Sequence, residues 1–204
     1  MTTETTRRGR SDGERSRRAI LLAATGLATV EGLDGLTIGR LARETGMSKS
    51  GLFAHFGSKE ELQLATIGLA EEIFQEEVLG PALAVEGRRR IEMLCEGFLS
   101  HIDRKVFPGG CFFASAAAEV DTRPGRVRDL VVGVYRRWTD LIEDAIAVAQ
   151  ARREVAASAD RAQLTFELNA MLAEANGLYL LFDDPRYFDM ARRGIADRLE
   201  RAAA

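Results

Sequence analysis

The sequence predicts an all-α fold of about nine helices, on three observations. Ala, Leu, Arg and Glu dominate a 204-residue chain with four prolines, and alternating Val, Ile and Thr stretches that would mark strands are scarce. Apolar residues recur at i, i+3 and i+4 along most of the chain. Ser, Thr and Asp caps with Gly or Pro breaks separate these periodic runs. At 46% apolar and 29% charged, the chain can bury a sizeable core and lies outside the disordered class. No run approaches the ~18 apolar residues of a membrane span, so no membrane partner is expected.

Residues 1–12 (MTTETTRRGRSD) are polar, with Arg7, Arg8 and Arg10 bunched. They read as a flexible leader in preference to an arm adding phosphate or minor-groove contacts. The first helix is expected from about Gly13 to Glu31, with Ile20, Ala23, Ala24, Leu27 and Ala28 as its apolar stripe and Gly32 after it. Arg17 and Arg18 fall on the outward side, and Leu33 and Leu36 anchor the following loop. Two short helices and a tight turn then occupy Thr37 to Phe56. Ile38, Leu41 and Ala42 make one apolar face, Thr37 is an N-cap, and Gly46 takes the positive φ that stops the helix. Met47 plugs the turn, Ser48 caps the second helix, and Leu52 and Phe56 face inward at i, i+4. Lys49, Ser50, Phe53, Ala54 and His55 therefore point outward. Helix, glycine turn, helix is the arrangement that DNA-binding helix-turn-helix units use, which makes residues 13–57 a candidate three-helix DNA-binding domain. Lys49 and the free N–H groups at the helix start suit phosphate oxygens, and Ser50 is small enough to let the helix approach base edges. An ordinary solvated helical hairpin shares this periodicity.

From Leu36 to Leu62 the chain reads L-T-I-x-x-L-A-x-x-x-G-M-S-K-x-x-L-F-x-H-F-G-S-K-E-E-L. This long, ordered pattern resembles the TetR family of bacterial transcription regulators and is far more specific than a bare helix-turn-helix. The resemblance implies that Thr37, Lys49, His55 and Lys59 touch phosphates and that Ser48 and Ser50 lie at or near the groove. Phe53 stands where the family most often has Tyr, keeping the ring without the hydroxyl. Ala54 replaces a larger residue and leaves room for a thymine methyl. Farther on, PGGCFFASAAAEVDTRPGRVRD resembles the C-terminal domain of one subgroup of the same family.

Residues 58–204 are expected to form the second domain, which the resemblance implies serves effector binding and dimerisation. Ser58 and Glu61 make a capping box for a connecting helix over 58–79, through Leu62, Ala65, Leu69 and Ile73, with Lys59 in its first turn. Gly80-Pro81 is expected to break the chain. Helices follow at about 86–105, 111–120, 124–151, 158–182 and 185–203, the 124–151 helix facing inward with Tyr135, Trp138, Leu141, Ile142 and Ala145. The 158–182 helix is apolar nearly all round and needs cover on both sides. Its Leu164, Leu168, Leu172, Ala175 and Leu178, with Phe188, Ala191, Ile195 and Leu199 of the last helix, are expected to build a four-helix homodimer interface. Such a dimer reads two half-sites of a pseudo-palindromic operator in double-stranded DNA. Phe98, Phe107, Phe112, Phe113, Tyr135, Trp138, Met171 and Tyr179, with the polar His101, Glu174 and Asn176, are candidates to line an effector cavity, although core packing places the same residue types inside. The resemblance implies a small effector of unknown identity in this domain. A ligand wedged between the helices there would move the connecting helix and change the separation of the reading heads.

The net charge of −3 divides unevenly: residues 1–60 hold ten Lys/Arg against seven Asp/Glu, and residues 61–204 hold eighteen against twenty-four. A basic head on an acidic body suits DNA reading. Cys95 and Cys111, sixteen apart, read as buried free thiols in preference to a redox pair, lacking basic neighbours or CxxC spacing. Arg17-Arg18 before Ala19–Val30 resembles an export signal, but no small-residue cleavage site follows and Glu31 and Asp34 come at once. No catalytic site, metal or cofactor is expected. GMSKSG misses the nucleophile elbow, Cys95, His101 and Cys111 match no metal spacing, and P-loop and Rossmann fingerprints are lacking. The reading is a cytoplasmic homodimeric repressor released by a small molecule. The alternative is a DNA-binding structural or bridging protein without ligand, whose body would hold no cavity.

Overall fold

The computed structural model describes residues 3–204, with side chains from Gly13 onward. Among them there is no strand, and nine helices of eight residues or more are joined by one additional turn. They are α1 (Thr3–Glu31), α2 (Ile38–Thr45), α3 (Lys49–Phe56), α4 (Lys59–Phe74), the single turn α5 (Gly80–Leu83), α6 (Gly87–Asp103), α7 (Phe112–Val120), α8 (Arg126–Ala151), α9 (Arg161–Phe182) and α10 (Arg186–Arg201). Helix α1 begins at Thr3, ahead of the expected start near Gly13, because no proline interrupts the polar stretch. The side chains of Arg7, Arg8 and Arg10 lie outside the described residues. Ile20, Leu21, Ala24 and Ala28 are buried where α1 packs on α4 and α7, so the run that resembles an export segment is a core helix.

Local capping follows the sequence closely. Thr37 Oγ1 accepts the Arg40 N–H at 3.0 Å, and Gly46 ends α2 at φ 68°. Ser48 Oγ accepts the Gly51 N–H at 3.1 Å to open α3, and Ser58 Oγ accepts the Glu61 N–H at 3.1 Å to open α4. The capping box is only half made. The Ser58 N–H goes to the Phe56 carbonyl at 2.8 Å, while the Glu61 carboxylate turns to Arg126 at 2.6 Å.

Gly80-Pro81 does not break the chain. A π-helical turn, Gln75–Leu79, follows α4 directly and runs into α5. The wider turn gives room to a proline ring that would otherwise meet the carbonyl four residues back. The chain reverses after Ala84, and α6 begins at Gly87 with φ +61°. Helix α9 begins at Arg161, later than the expected 158, because Asp160 caps it, its carboxylate accepting the Gln163 N–H at 3.1 Å. Helix α8 begins beyond Pro124, after Gly125 at φ +149°.

The body is a layered bundle in which α6 packs on α8, α9 packs on α10, and α6 touches both members of that pair. This arrangement corrects the expected interface. Leu164, Leu168, Leu172 and Ala175 of α9 and Phe188, Ala191, Ile195 and Leu199 of α10 are buried within one chain, and Leu178 is half-buried. They close the α9–α10–α6 core. The second face of α9 stays open: Phe166, Ala170, Ala173, Gly177 and Leu181 run along it, with Phe166 68% and Leu181 72% exposed. A helix apolar all round needs two covers, and its own chain supplies one.

Candidate nucleic-acid interface and effector cavity

Buried Leu52 and Phe56 hold α3 to the head, so its opposite side projects outward. Lys49, Ser50, Phe53 and Ala54 are exposed there, and His55 is half-buried with its ring tilted against Phe56. Ser48 Oγ also lies 3.2 Å from Ser50 Oγ, so α3 opens with two small hydroxyls beside its free N–H groups, a setting that favours an anion. Thr37 is exposed, and its hydroxyl, used as acceptor by Arg40, still has a proton to donate. The Arg17 guanidinium sits 5.0 Å over the Phe56 ring and brings a second cation beside α3. Arg40 is taken up by Glu31 at 2.8 Å and Glu44 at 2.8 Å.

The loop between α1 and α2 joins this head to the body. The Glu119 carboxylate, near the end of α7, accepts the N–H groups of Leu33 at 2.8 Å and Asp34 at 3.0 Å. Gln63 Nε2 donates to the Leu33 carbonyl at 2.8 Å. Lys59 Nζ donates to the Asp34 carbonyl at 2.7 Å, and its charge lies 3.6 Å from the Asp34 carboxylate. Arg123 pairs with that carboxylate and, by its hydrogen bond, holds Asp34 below the usual carboxylate range. Arg126 spans Glu60 at 3.1 Å and Glu61 at 2.6 Å. Lys59, expected as a phosphate contact, thus has an intramolecular partner. Gln63, Glu119, Arg123 and Arg126 escape sequence reasoning, although a carboxylate closing the apolar run CFFASAAAEV is a signal, since it needs donors.

A cavity of about 160 Å³ opens within the body, lined by Phe74, Phe98, Phe113, Trp138, Leu172 and Asn169, with Cys111 and Tyr135. The Trp138 indole N–H donates to Asn169 Oδ1 at 2.7 Å, which leaves the lining almost wholly apolar. Tyr135, expected to face the core, is 41% exposed. It lies at the mouth, where it also lines an outer groove with Val120, Val131, Arg128 and Arg136.

Of the eleven residues expected at the cavity, Phe98, Phe113, Tyr135 and Trp138 line it. The others do not. Phe107 and Phe112 pack on each other in the core, ring centroids 5.9 Å apart. His101 lies behind Phe74, at 5.7 Å, and against Phe107, at 5.2 Å. Asn176 Oδ1 accepts the Cys111 N–H at 2.9 Å, tying the loop before α7 to α9. Tyr179 packs tilted against Phe188 at 4.5 Å, Met171 meets α10 at Gly194, and Glu174 is exposed. Helix α9 turns these last four toward α10, toward the loop or toward solvent. Phe74, not singled out from the sequence, is the hub: its ring meets those of Phe98, His101, Phe113 and Trp138 at 5.5–6.4 Å, each near edge-on. Cys95 and Cys111 are free and buried. Burial pushes both thiols up, Cys95 to about 12, which disfavours the reactive thiolate. Among the described residues no cluster of His, Cys, Asp or Glu is arranged to hold a metal, and no helix is long and apolar enough to cross a membrane.

Residues 20–66 match the family model of bacterial regulatory proteins of the tetR family, and residues 87–195 match that of the Tetracyclin repressor-like C-terminal domain. The HTH-type transcriptional regulator LmrA of Bacillus subtilis (strain 168) is 26% identical over 166 residues, which cover 77% of this chain and 82% of LmrA. A TetR transcriptional regulator from Chloroflexus aurantiacus J-10-FL has the same fold, with a TM-score of 0.87 at 25% identity over 95% of this chain and 98% of that one. AibR, solved in complex with isovaleryl coenzyme A and operator DNA, matches at a TM-score of 0.70 and 20% identity over 88% of this chain and 95% of its own. Reading head, connecting helix and helical body occur in one order and one geometry, and the chain belongs to the TetR family of DNA-binding transcriptional regulators.

Proposed function

We propose that the protein is a cytoplasmic homodimeric repressor that leaves its operator when a small apolar or aromatic effector enters the body cavity. The observation that carries this reading is α4. One continuous helix bears the cavity wall at Phe74 and, about 22 Å along its axis, the Lys59–Asp34 contact at the reading head. A ligand that binds one position of α4 better than another shifts the head by that difference in affinity. The cavity also separates this reading from a ligand-free bridging protein, whose body would be solidly packed. AibR, with the same fold, binds both a small molecule and operator DNA.

On the DNA side, Ser48, Ser50, Phe53 and Ala54 lie at the major groove, while Thr37, Lys49 and His55 meet its flanking phosphates. Lys59 supports the head through Asp34 and adds charge at the same edge. The dimer forms through the open face of α9. Ala170, Ala173 and Gly177 let two helix axes approach closely, and twofold symmetry sets the Phe166 end of one protomer against the Leu181 end of its partner. The two heads then address half-sites of a pseudo-palindrome. The test is a mobility shift on DNA flanking the protein's own gene, across a salt series, followed by selection from fragmented genomic DNA. A dimer-sized shift that weakens steeply with salt is expected. Failure to enrich any sequence in that selection would overturn the reading.

A further inference from the structure

Among the described residues, His101 and Thr165 alone hold buried side-chain nitrogen or oxygen atoms with no hydrogen-bond partner, and His101 leaves both ring nitrogens unpaired at 1% exposure. A buried imidazole without partners forfeits the hydrogen bonds it makes in water, an arrangement native cores rarely tolerate without a use. Its ring neighbours offer none, Phe74 standing edge-on at 5.7 Å and Phe107 at 5.2 Å, and the nearby Glu77 and Arg104 pair with each other at 2.6 Å instead. Phe74 is also a wall of the effector cavity, and Phe98, one turn from His101 on α6, is another. The Phe74 ring therefore touches both the apolar cavity and an imidazole with an unsatisfied donor and acceptor.

We propose that His101 is a latent polar subsite of the effector cavity, reached when Phe74 swings aside, and that the effector is a compact, largely apolar molecule carrying one hydroxyl or comparable hydrogen-bonding group. The inference rests on the effector reading above. The cavity of about 160 Å³ is of the size that takes a single aromatic ring. Neutral imidazole presents one N–H donor and one acceptor, so a hydroxyl is matched in either sense. Phe74 is the last residue of the regular part of α4, and the π turn starts at the next residue. A ligand that displaces this ring thus acts on the joint of the helix that carries the reading head.

The experiment titrates the full-length protein with phenol and with toluene, a pair differing by OH for CH₃, and follows the fluorescence of Trp138, the chain's single tryptophan. A dry cavity without a partner rejects phenol in favour of toluene. The wild type is expected to bind phenol at least as tightly as toluene, and His101→Leu to shift that ratio at least tenfold toward toluene. His101→Phe, whose ring fills the same space, replaces the leucine variant if that one fails to fold. The imidazole nitrogen resonances of His101, identified by their loss in the variant, move with phenol and not with toluene. A wild type that already prefers toluene tenfold, an unchanged ratio in the variant, or phenol binding without that resonance shift overturns the subsite and leaves the effector cavity standing. If neither compound changes Trp138 emission, both readings fall together.

Discussion

The carboxylate of Glu119 accepts the backbone N–H of Leu33 at 2.8 Å, joining the last turn of α7 to the loop that leads into the reading head, 86 residues earlier in the chain. Its second oxygen takes the N–H of Asp34, so one side chain satisfies two donors of a loop that has no regular structure to satisfy them. Gly32 completes the joint. Its φ is +81°, and a Cβ there would lie 2.7 Å from the Glu119 carboxylate.

Glu119→Ala is expected to lower stability by about 1–3 kcal/mol, the range for losing charge-assisted bonds to partly buried donors. Glu119→Gln, which keeps one acceptor oxygen, costs less. Gly32→Ala is destabilising on two counts, the left-handed backbone and the clash. Urea denaturation ranks the three, and an alanine variant at position 119 as stable as the wild type removes Glu119 from the joint.

The two lysines of the head have different surroundings, and their alanine variants should differ accordingly. Lys49 is exposed at the start of α3, so Lys49→Ala is expected to weaken binding to all sequences and to reduce the salt slope by about one. Lys59 already donates to Asp34, so Lys59→Ala is expected to lower affinity with a smaller change in slope, because the loss falls mainly on the position of the α1–α2 loop. Binding isotherms on one operator fragment across a salt series check both. Equal loss of slope in the two variants would place Lys59 on a phosphate in the complex.

Much of this architecture was legible because it is local. Thr37, Ser48 and Ser58 cap their helices through bonds that span three residues, and Gly46 stops α2 by its own backbone freedom, so spacing alone foretells them. What depends on distant partners was not. Both stripes of α9 are apolar, and nothing in either says which one α10 and α6 will cover. Leu168 and Leu172 therefore read as interface, while Phe166 and Leu181, which complete the apolar ring of the same helix, were left out of it. The cavity was half legible for the same reason. Aromatic type identified Phe98, Phe113, Tyr135 and Trp138, but only the meeting of the Phe74 ring with rings carried by α6, α7 and α8 makes it the hub.

The corrected face of α9 yields opposite expectations for two pairs of variants. Phe166→Asp and Leu181→Asp place charge on an exposed stripe and should give folded monomers, since neither residue is needed by its own core. Leu168→Asp and Ile195→Asp put an unpaired carboxylate among buried helices and should unfold the chain. Sedimentation velocity with far-ultraviolet circular dichroism separates the outcomes. Folded dimers persisting in Phe166→Asp and Leu181→Asp would move the interface elsewhere.

His101 leaves a signature in the pH dependence of stability. Burial lowers its pKa to about 4. The Glu77 carboxylate raises it in part and Arg104 lowers it further, those two being paired with each other at 2.6 Å. Above about pH 7 the imidazole is neutral in both folded and unfolded chains and contributes no slope. As pH falls from about 6.5 toward 4, the unfolded chain takes up a proton that the folded chain refuses, so stability declines, by up to about 3 kcal/mol across the window. Most carboxylates titrate below this range, so the interval from about pH 6.5 to 5 isolates the histidines. His101→Phe keeps a ring in the Phe74–Phe107 cluster but cannot bind the proton, and its urea midpoint should change less over that interval than the wild type's. Parallel pH profiles for the two proteins would mean that His101 finds a partner or water in solution and would overturn its unpaired state.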